Sequence, residues 1–251
     1  MHPDVFAPLP FSNRRLVVRI ALTLWIAIAP FAYTPARGAD NALTPVEVKD
    51  GWVLLFNGTN AAGWMTSAGK PPATQVEQGA LQPHKSGHYM LVHTQQWADF
   101  VLKLEFKLSA GCNSGVFVRT SSLEPRPGKD VGHNGIEVAL DDTKGAGFHD
   151  TAAIYDLVKP LKNAMKPARE WNQMEIACIG RRIEVVLNGE PVTRCDLELF
   201  TAPNKRPDGT EHKFDVAWKD HPLRGFIGLQ DHGSPCWFKN IKLKPIAPRQ
   251  P

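Results

Sequence analysis

Residues 100–108 place Phe100, Leu102, Leu104, Phe106 and Leu108 on every second position, separated by Val101, Lys103, Glu105 and Lys107. A period of two over nine residues belongs to a strand with one face in a core and one in water. A helix would scatter the same apolar residues around its axis. The chain therefore needs a second layer to cover that face, and it supplies more segments of the same kind. Residues 115–119, 136–140, 173–179, 182–187, 191–195, 226–230 and 237–243 all read as short strands. Asn57-Gly58 and Asn188-Gly189 mark tight turns. Only residues 156–165 offer a short helix or structured loop. Many strands and few helices over about 200 residues predict an all-β jelly-roll sandwich of antiparallel sheets. Two long stretches, 121–135 and 201–223, either belong to a site or are surface excursions.

The first residues read differently. Arg14, Arg15 and Arg19 precede an almost wholly apolar run from Ile20 to Ala32, and Ala36-Arg37-Gly38 offers small residues for cleavage. Residues 1–38 are expected to be a secretory signal peptide and 39–251 a single domain with a short polar tail. An uncleaved anchor is the alternative; the mature chain is expected to have no membrane span. Without residues 1–38 the 29 basic residues fall by four and the 25 acidic residues by one, so the formal charge drops from +4 to +1. Nothing in that balance suggests a nucleic-acid partner. Four cysteines, Cys112, Cys178, Cys195 and Cys236, have no zinc-like spacing. In an exported chain four cysteines permit three pairings, and buried free thiols or one structural bridge are expected rather than redox chemistry.

One strand ends in chemistry. Gly225-Phe226-Ile227-Gly228-Leu229 runs into Gln230, Asp231, His232 and Gly233. In residues 136–141, Ile136, Val138 and Leu140 share one face while Glu137, Ala139 and Asp141 share the other. A carboxylate flanked by apolar neighbours must face a groove or a partner, because burying it alone costs several kcal/mol, at roughly the scale of unpaired polar groups. Two readings follow. Glu137 pairs with Arg119 to hold two strands, with His232 a turn residue; or Glu137, Arg119, Gln230 and His232 meet on one concave surface rimmed by Asn113, Asp142, Tyr155 and Asn172, with Asp231 among the polar contacts. Among the tryptophans, Trp52, Trp171 and Trp237 are expected in the core, and Trp64, Trp97 or Trp218 along a groove.

The order of these strings resembles a known family. Gly51-Trp52-Val53-Leu54-Leu55-Phe56-Asn57-Gly58 with Gly63-Trp64, then Asn113-Ser114-Gly115-Val116-Phe117-Val118-Arg119, then Glu137-Val138-Ala139-Leu140-Asp141-Asp142 are similar to motifs of the 3-keto-disaccharide hydrolase-like domains. Ala153-Ile154-Tyr155, Lys166-Pro167, Glu170-Trp171-Asn172, Leu187-Asn188-Gly189, Gly228-Leu229-Gln230-Asp231-His232-Gly233 and Phe238-Lys239-Asn240-Ile241 continue the series in order. Together they cover about residues 48–246. Two positions depart from the pattern and lie near the presumed groove: Ala139 stands where the family has Gln, and Ala152 where it has Gly.

The resemblance implies a concanavalin A-like lectin/glucanase fold and location in the periplasm or at the cell surface of a bacterium. It also implies action on 3-keto-glycosides, with an upstream sugar 3-dehydrogenase as pathway partner. A ketone at C3 acidifies the C2 proton, so a base can remove it and the aglycone at C1 can leave by elimination before water adds. His232 or Glu137 could be the base; Arg119 or a divalent cation could hold the enolate oxygen. Glu137, Asp142, His149 and His232 are the candidate ligands for such a metal. A conventional retaining glucanase is disfavoured, because Glu137 is followed by Ala139 and Asp142 where the usual Glu-x-Asp-x-x-Glu pattern has Asp and Glu. A non-catalytic carbohydrate-binding module is the alternative.

Overall fold

The computed structural model describes residues 39–73 and 75–247; the leader reading over residues 1–38 lies outside them. In chain order the elements are a short helix α1 (Pro45–Lys49) and strands β1 (Val53–Leu54), β2 (Trp64–Thr66), β3 (Val76–Glu77), β4 (Ala80–Leu81) and β5 (Met90–Trp97). There follow β6 (Phe100–Leu108), β7 (Asn113–Thr120), β8 (Ile136–Asp141), β9 (Asn172–Ile179) and β10 (Arg182–Leu187), then β11 (Glu190–Asp196), β12 (Gly225–Gln230) and β13 (Cys236–Pro245).

The strands form two antiparallel sheets. The larger runs β11-β10-β9-β6-β13-β4-β3 with β1 added beside β13, and the smaller runs β2-β5-β12-β7-β8. Strands distant in sequence lie side by side, as β5 and β7 do on either side of β12, which is the connectivity of a concanavalin A-like jelly roll.

Alternation explains how the sheets meet. The apolar face of β6 is buried from Phe100 to Leu108 and packs with Phe238, Ile241 and Leu243 of β13 and Ile176 of β9. The smaller sheet contributes Leu91, Val116, Val118, Ile136, Val138, Leu140, Ile227 and Leu229 to the same core. At about 1.5–3 kcal/mol for each fully buried aliphatic side chain, this shared core is the principal force holding the layers together. Residues 156–165 form no helix. The one α-helix among the described residues, α1, is not evident in the apolar pattern because none of its residues is buried. A capping box supports it, with Thr44 Oγ1 accepting from Glu47 N and Glu47 Oε2 accepting from Thr44 N.

The tryptophans fall opposite to expectation. Trp64, Trp97 and Trp218 are core residues, and the Trp64 indole donates to Leu55 O at 2.7 Å. Trp52, Trp171 and Trp237 are half-buried and carry lysine ammonium groups on their rings, Lys103 on Trp52 and Lys107 on both others. Trp237 lies between Cys236 and Phe238, which both point into the core, so the pleat turns it outward.

Candidate active site

The core-facing residues of β8 leave Glu137, Ala139 and Asp141 on the outer face of the smaller sheet. Pairing register places their neighbours: Glu137 lies opposite Phe117, Ala139 opposite Gly115 and Asp141 opposite Asn113. Across β7, Phe117 is opposite Gly228 of β12, and Gly228 and Gln230 are in turn opposite Val92 and Met90 of β5. Met90, Val92 and Phe117, capped by Val131 from the 121–135 stretch, form a second, smaller apolar cluster on this face. The polar residues begin where that cluster ends.

Glu137 leans over Gly115, so that a Cβ at Gly115 would lie 2.7 Å from its Oε1. Gln230 stands on β12 and donates through Nε2 to Tyr89 Oη at 3.3 Å, while its Oε1 is buried with no partner among the described residues. Tyr89 packs edge-on against Phe117, with ring centroids 5.8 Å apart. Its hydroxyl lies against Gly132 of the 121–135 stretch, where a side chain would collide with it.

The fourth wall comes from a segment laid along the free edge of β8. Ala139 N donates to Ala153 O at 2.9 Å, and Tyr155 N donates to Glu137 O at 2.9 Å. Tyr155 therefore sits beside Glu137 and stacks on His149, with centroids 4.5 Å apart and planes 22° from parallel. The 201–223 stretch is pinned to the same segment. Arg206 Nη2 donates to Asp156 Oδ1 at 2.6 Å, and Lys213 N donates to Asp156 Oδ2 at 2.7 Å. Those contacts hold the Lys213 ammonium 4.3 Å from the centre of the Tyr155 ring.

Electrostatics single out one group. Glu137 is 9% exposed, and no donor among the described residues reaches its carboxyl. Burial pushes its pKa from 4.5 up to about 8; the Lys213 charge opposes the shift and Asp130 adds to it. Burial, with the Glu137 charge nearby, also raises the Tyr89 and Tyr155 phenols. At the rim, burial and then Asp150 and Asp142 raise Asp141, while His232 and His149 draw it back.

The structure brings Glu137, Gln230, Tyr155 and Asn113 onto one face, with His232 exposed at its rim near Asp141. Arg119 is not among them. It has φ +55° at a register shift between β7 and β12, which takes it out of simple alternation. Its guanidinium is fully buried, donating to Ala98 O at 3.1 and 3.2 Å, Gly180 O at 2.7 Å and Asp99 Oδ1 at 3.2 Å. Arg119 joins the β5–β6 turn to the β9–β10 turn, so neither a catalytic role nor a pairing with Glu137 fits. Asn172 is also structural. It lies in the larger sheet, with Oδ1 accepting from Lys166 N and Asn188 Nδ2 and Nδ2 donating to Glu170 O.

Asp142 accepts from Gly111 N at 2.8 Å and fastens the β6–β7 turn. Asp231 accepts from Gly233 N and Ser86 Oγ, and its own N donates to Tyr89 O, so it positions the segment that carries Tyr89. Ala152 is buried in the main core rather than in the groove, and its φ of +72° is the geometry a glycine would take most easily. Ala139 does face the site.

The proposed metal ligands do not converge. Glu137 is buried over Gly115, Asp142 is held in a turn, His149 stacks on Tyr155 with Nε2 3.5 Å from Asp156 Oδ1, and His232 is exposed. Among the described residues no three His, Cys, Asp or Glu side chains gather as an ion would require. That donor set does not fit a divalent cation.

Tyr89 and Lys213 were not anticipated. Tyr89 precedes the apolar triplet of β5, which marks it weakly as a strand-entry residue. Lys213 gives no local signal, because its place depends on Asp156, 57 positions earlier in the chain.

Two antiparallel sheets with a carboxyl, an amide and two phenols on the outer face of the smaller one define a jelly roll with a polar site on a rigid floor. The chain belongs to the 3-keto-alpha-glucoside-1,2-lyase-like domain family, whose model matches residues 51–244. A relative from Bacteroides thetaiotaomicron named 3-keto-disaccharide hydrolase is 26% identical, covering 88% of this chain and 87% of its own. A crystal structure from Parabacteroides distasonis, provisionally described as a glycosyl hydrolase, is similar with a TM-score of 0.66 and 29% identity over 78% of this chain and 99% of that one. A second structure from the same organism has a TM-score of 0.66 at 24% identity, covering 83% of this chain and 100% of that one, and shares the fold. Among the described residues no helix is long and apolar enough to cross a membrane.

Proposed function

We propose that this protein is an enzyme that cleaves 3-keto-glycosides by elimination and hydration. The observation that carries the reading is Glu137. It is a buried carboxyl on the outer face of the smaller sheet, lacking a donor among the described residues and raised to about 8, on the same face as a Gln230 oxygen that also lacks a partner among them. Leaving such groups unmatched costs about 1–3 kcal/mol each, which a hydroxyl-rich ligand would offset. The family match and the name of the Bacteroides relative support the substrate class.

In the proposed reaction the Glu137 carboxylate removes the proton from C2. The C2–H electron pair forms an enolate whose oxygen, at C3, lies against the Lys213 ammonium. As the enolate collapses, C1–C2 becomes double, the C1–O bond breaks, and the aglycone oxygen takes a proton from His232. Water then adds at C1 and passes its proton to His232, while Glu137, its proton exchanged with solvent, protonates C2. The sum is hydrolysis. A base near pKa 8 suits the first step better than an ordinary carboxylate, because it is the stronger base and is still partly ionised near neutral pH. Lys213 takes the part expected of Arg119. Tyr89, Gln230, Asn113 and Tyr155 bind sugar hydroxyls.

The leader-like residues 1–38 support export to the periplasm or cell surface. A substrate oxidised at C3 requires a dehydrogenation upstream, which supports a sugar 3-dehydrogenase as pathway partner. The test is release of 4-nitrophenol from a 3-keto-glucoside compared with its unoxidised parent. Release from the keto compound alone is expected. Binding of the glycoside without release from either would instead favour a carbohydrate-binding module.

A further inference from the structure

The four cysteines allow three full pairings by arithmetic, and the fold permits a bridge in one place. Cys178 on β9 and Cys195 on β11 both lie opposite Ile183 of β10, one on each side. They are separated by two strand spacings, roughly 9–10 Å, beyond the ~7 Å between Cα atoms that a disulfide spans. Cys112 and Cys236 are different. Cys112 ends the β6–β7 turn, with its N donating to Ser109 O at 3.2 Å. Cys236 opens β13 opposite Leu108, and the neighbouring Ser109 N donates to Pro235 O at 2.9 Å. Both thiols are fully buried, and each directly perturbs the other's ionisation. Cys112 Sγ is 3.8 Å from Ser234 O, and Cys236 Sγ is 3.5 Å from Ser114 Oγ.

The geometry points to a Cys112–Cys236 disulfide, formed when the chain folds under oxidising conditions, with Cys178 and Cys195 remaining thiols. The oxidant is a small-molecule or protein disulfide such as glutathione disulfide. One cysteine thiolate attacks a glutathione sulfur and releases glutathione thiolate, leaving a mixed disulfide. The second cysteine thiolate attacks the protein sulfur of that mixed disulfide and releases the other glutathione. Two protein thiols are oxidised and one glutathione disulfide is reduced to two thiols. Because both sulfurs are buried in the native state, exchange takes place while the chain closes.

The bridge would tie the start of β7, which carries Asn113, to the base of the 231–235 turn, which carries His232. It fastens one end of the site without touching the reacting groups. It also closes a loop of more than one hundred residues, the arrangement in which a cross-link restricts the unfolded chain most.

The full chain is refolded from denaturant with reduced and oxidised glutathione, and in parallel with dithiothreitol. Each sample is alkylated while denatured and mapped by peptide mass spectrometry. Expected is one linked peptide pair joining Cys112 to Cys236, lighter by two hydrogens, with Cys178 and Cys195 alkylated. The bridged sample should melt roughly 10 °C above the reduced one. Four alkylated cysteines after oxidative refolding, or a bridge that includes Cys178 or Cys195, would overturn the assignment. Cys178→Ser with Cys195→Ser should retain the bridge, whereas Cys236→Ser should lose it.

Discussion

The Glu137 carboxyl occupies the space that a side chain at Gly115 would fill, with Oε1 2.7 Å and Cγ 2.8 Å from where that Cβ would stand. The floor of the site is therefore a glycine for a steric reason. Gly115 lies within a strand and has no positive φ, so its backbone does not require glycine. Gly115→Ala is expected to fold, at a cost of about 1–3 kcal/mol for overpacking, and to push the carboxyl out of place. A displacement of this kind costs roughly 10²-fold in kcat. Steady-state kinetics with a thermal melt would check both.

Glu137 as the base gives kcat/KM a rising limb with an apparent midpoint near 8, from its raised pKa. Glu137→Gln should remove both the limb and nearly all turnover. A falling limb near 8 would make Glu137 the acid instead. A pH–rate profile on the keto-glucoside distinguishes these.

Stability should follow pH in the opposite sense. Between 4.5 and about 8 the folded protein holds a Glu137 proton that the unfolded chain has released. The group's contribution is therefore fully present below about 4.5 and is lost as pH rises through 8. The melting temperature of the wild type should fall relative to Glu137→Gln over that range, leaving the inactive variant the more stable protein above pH 8. Parallel melts from about pH 5 to about pH 9 would measure it.

Arg119→Met separates structure from catalysis. The substitution strands Asp99 and the Ala98 and Gly180 carbonyls, a loss of about 3 kcal/mol by comparison with other broken buried pairs. Expected is a melting temperature lower by roughly 10 °C, with kcat of the folded fraction within a factor of a few of wild type. Lys213→Met should do the reverse: it loses about 10²-fold in kcat with little change in melting, because its side chain is exposed.

His232 acts on the leaving group. His232→Ala should barely slow a nitrophenyl aglycone, which departs without protonation, and should strongly slow a sugar or alkyl aglycone. Equal losses on both would remove it from that role.

Sequence periodicity located much of this arrangement. The alternation of β8 put Glu137 outside the core, and the end of β12 put Gln230 and His232 on the same side of the molecule. β5 was less visible because Met90 to His93 are all buried, on both faces of the sheet, and the residues that follow pack irregularly at a register shift against β12. Arg119 was misplaced because a single positive φ changes the direction of a side chain without altering the residue pattern. Trp171 and Trp237 were placed in the core on residue type, although the flanking Cys236 and Phe238 already fixed the outward direction of Trp237. Lys213 depends on two loops meeting through Asp156, which no local pattern records.

The most direct measurement is to run the reaction on a 3-keto-glucoside in deuterated water and read the C2 position of the sugar product by mass spectrometry and NMR. A control with product alone corrects for spontaneous exchange. Proton removal by Glu137 followed by hydration predicts solvent deuterium at C2 in step with aglycone release, and neither in Glu137→Gln. Aglycone release with C2 still carrying its original hydrogen would contradict the elimination and, with it, the role assigned to Glu137.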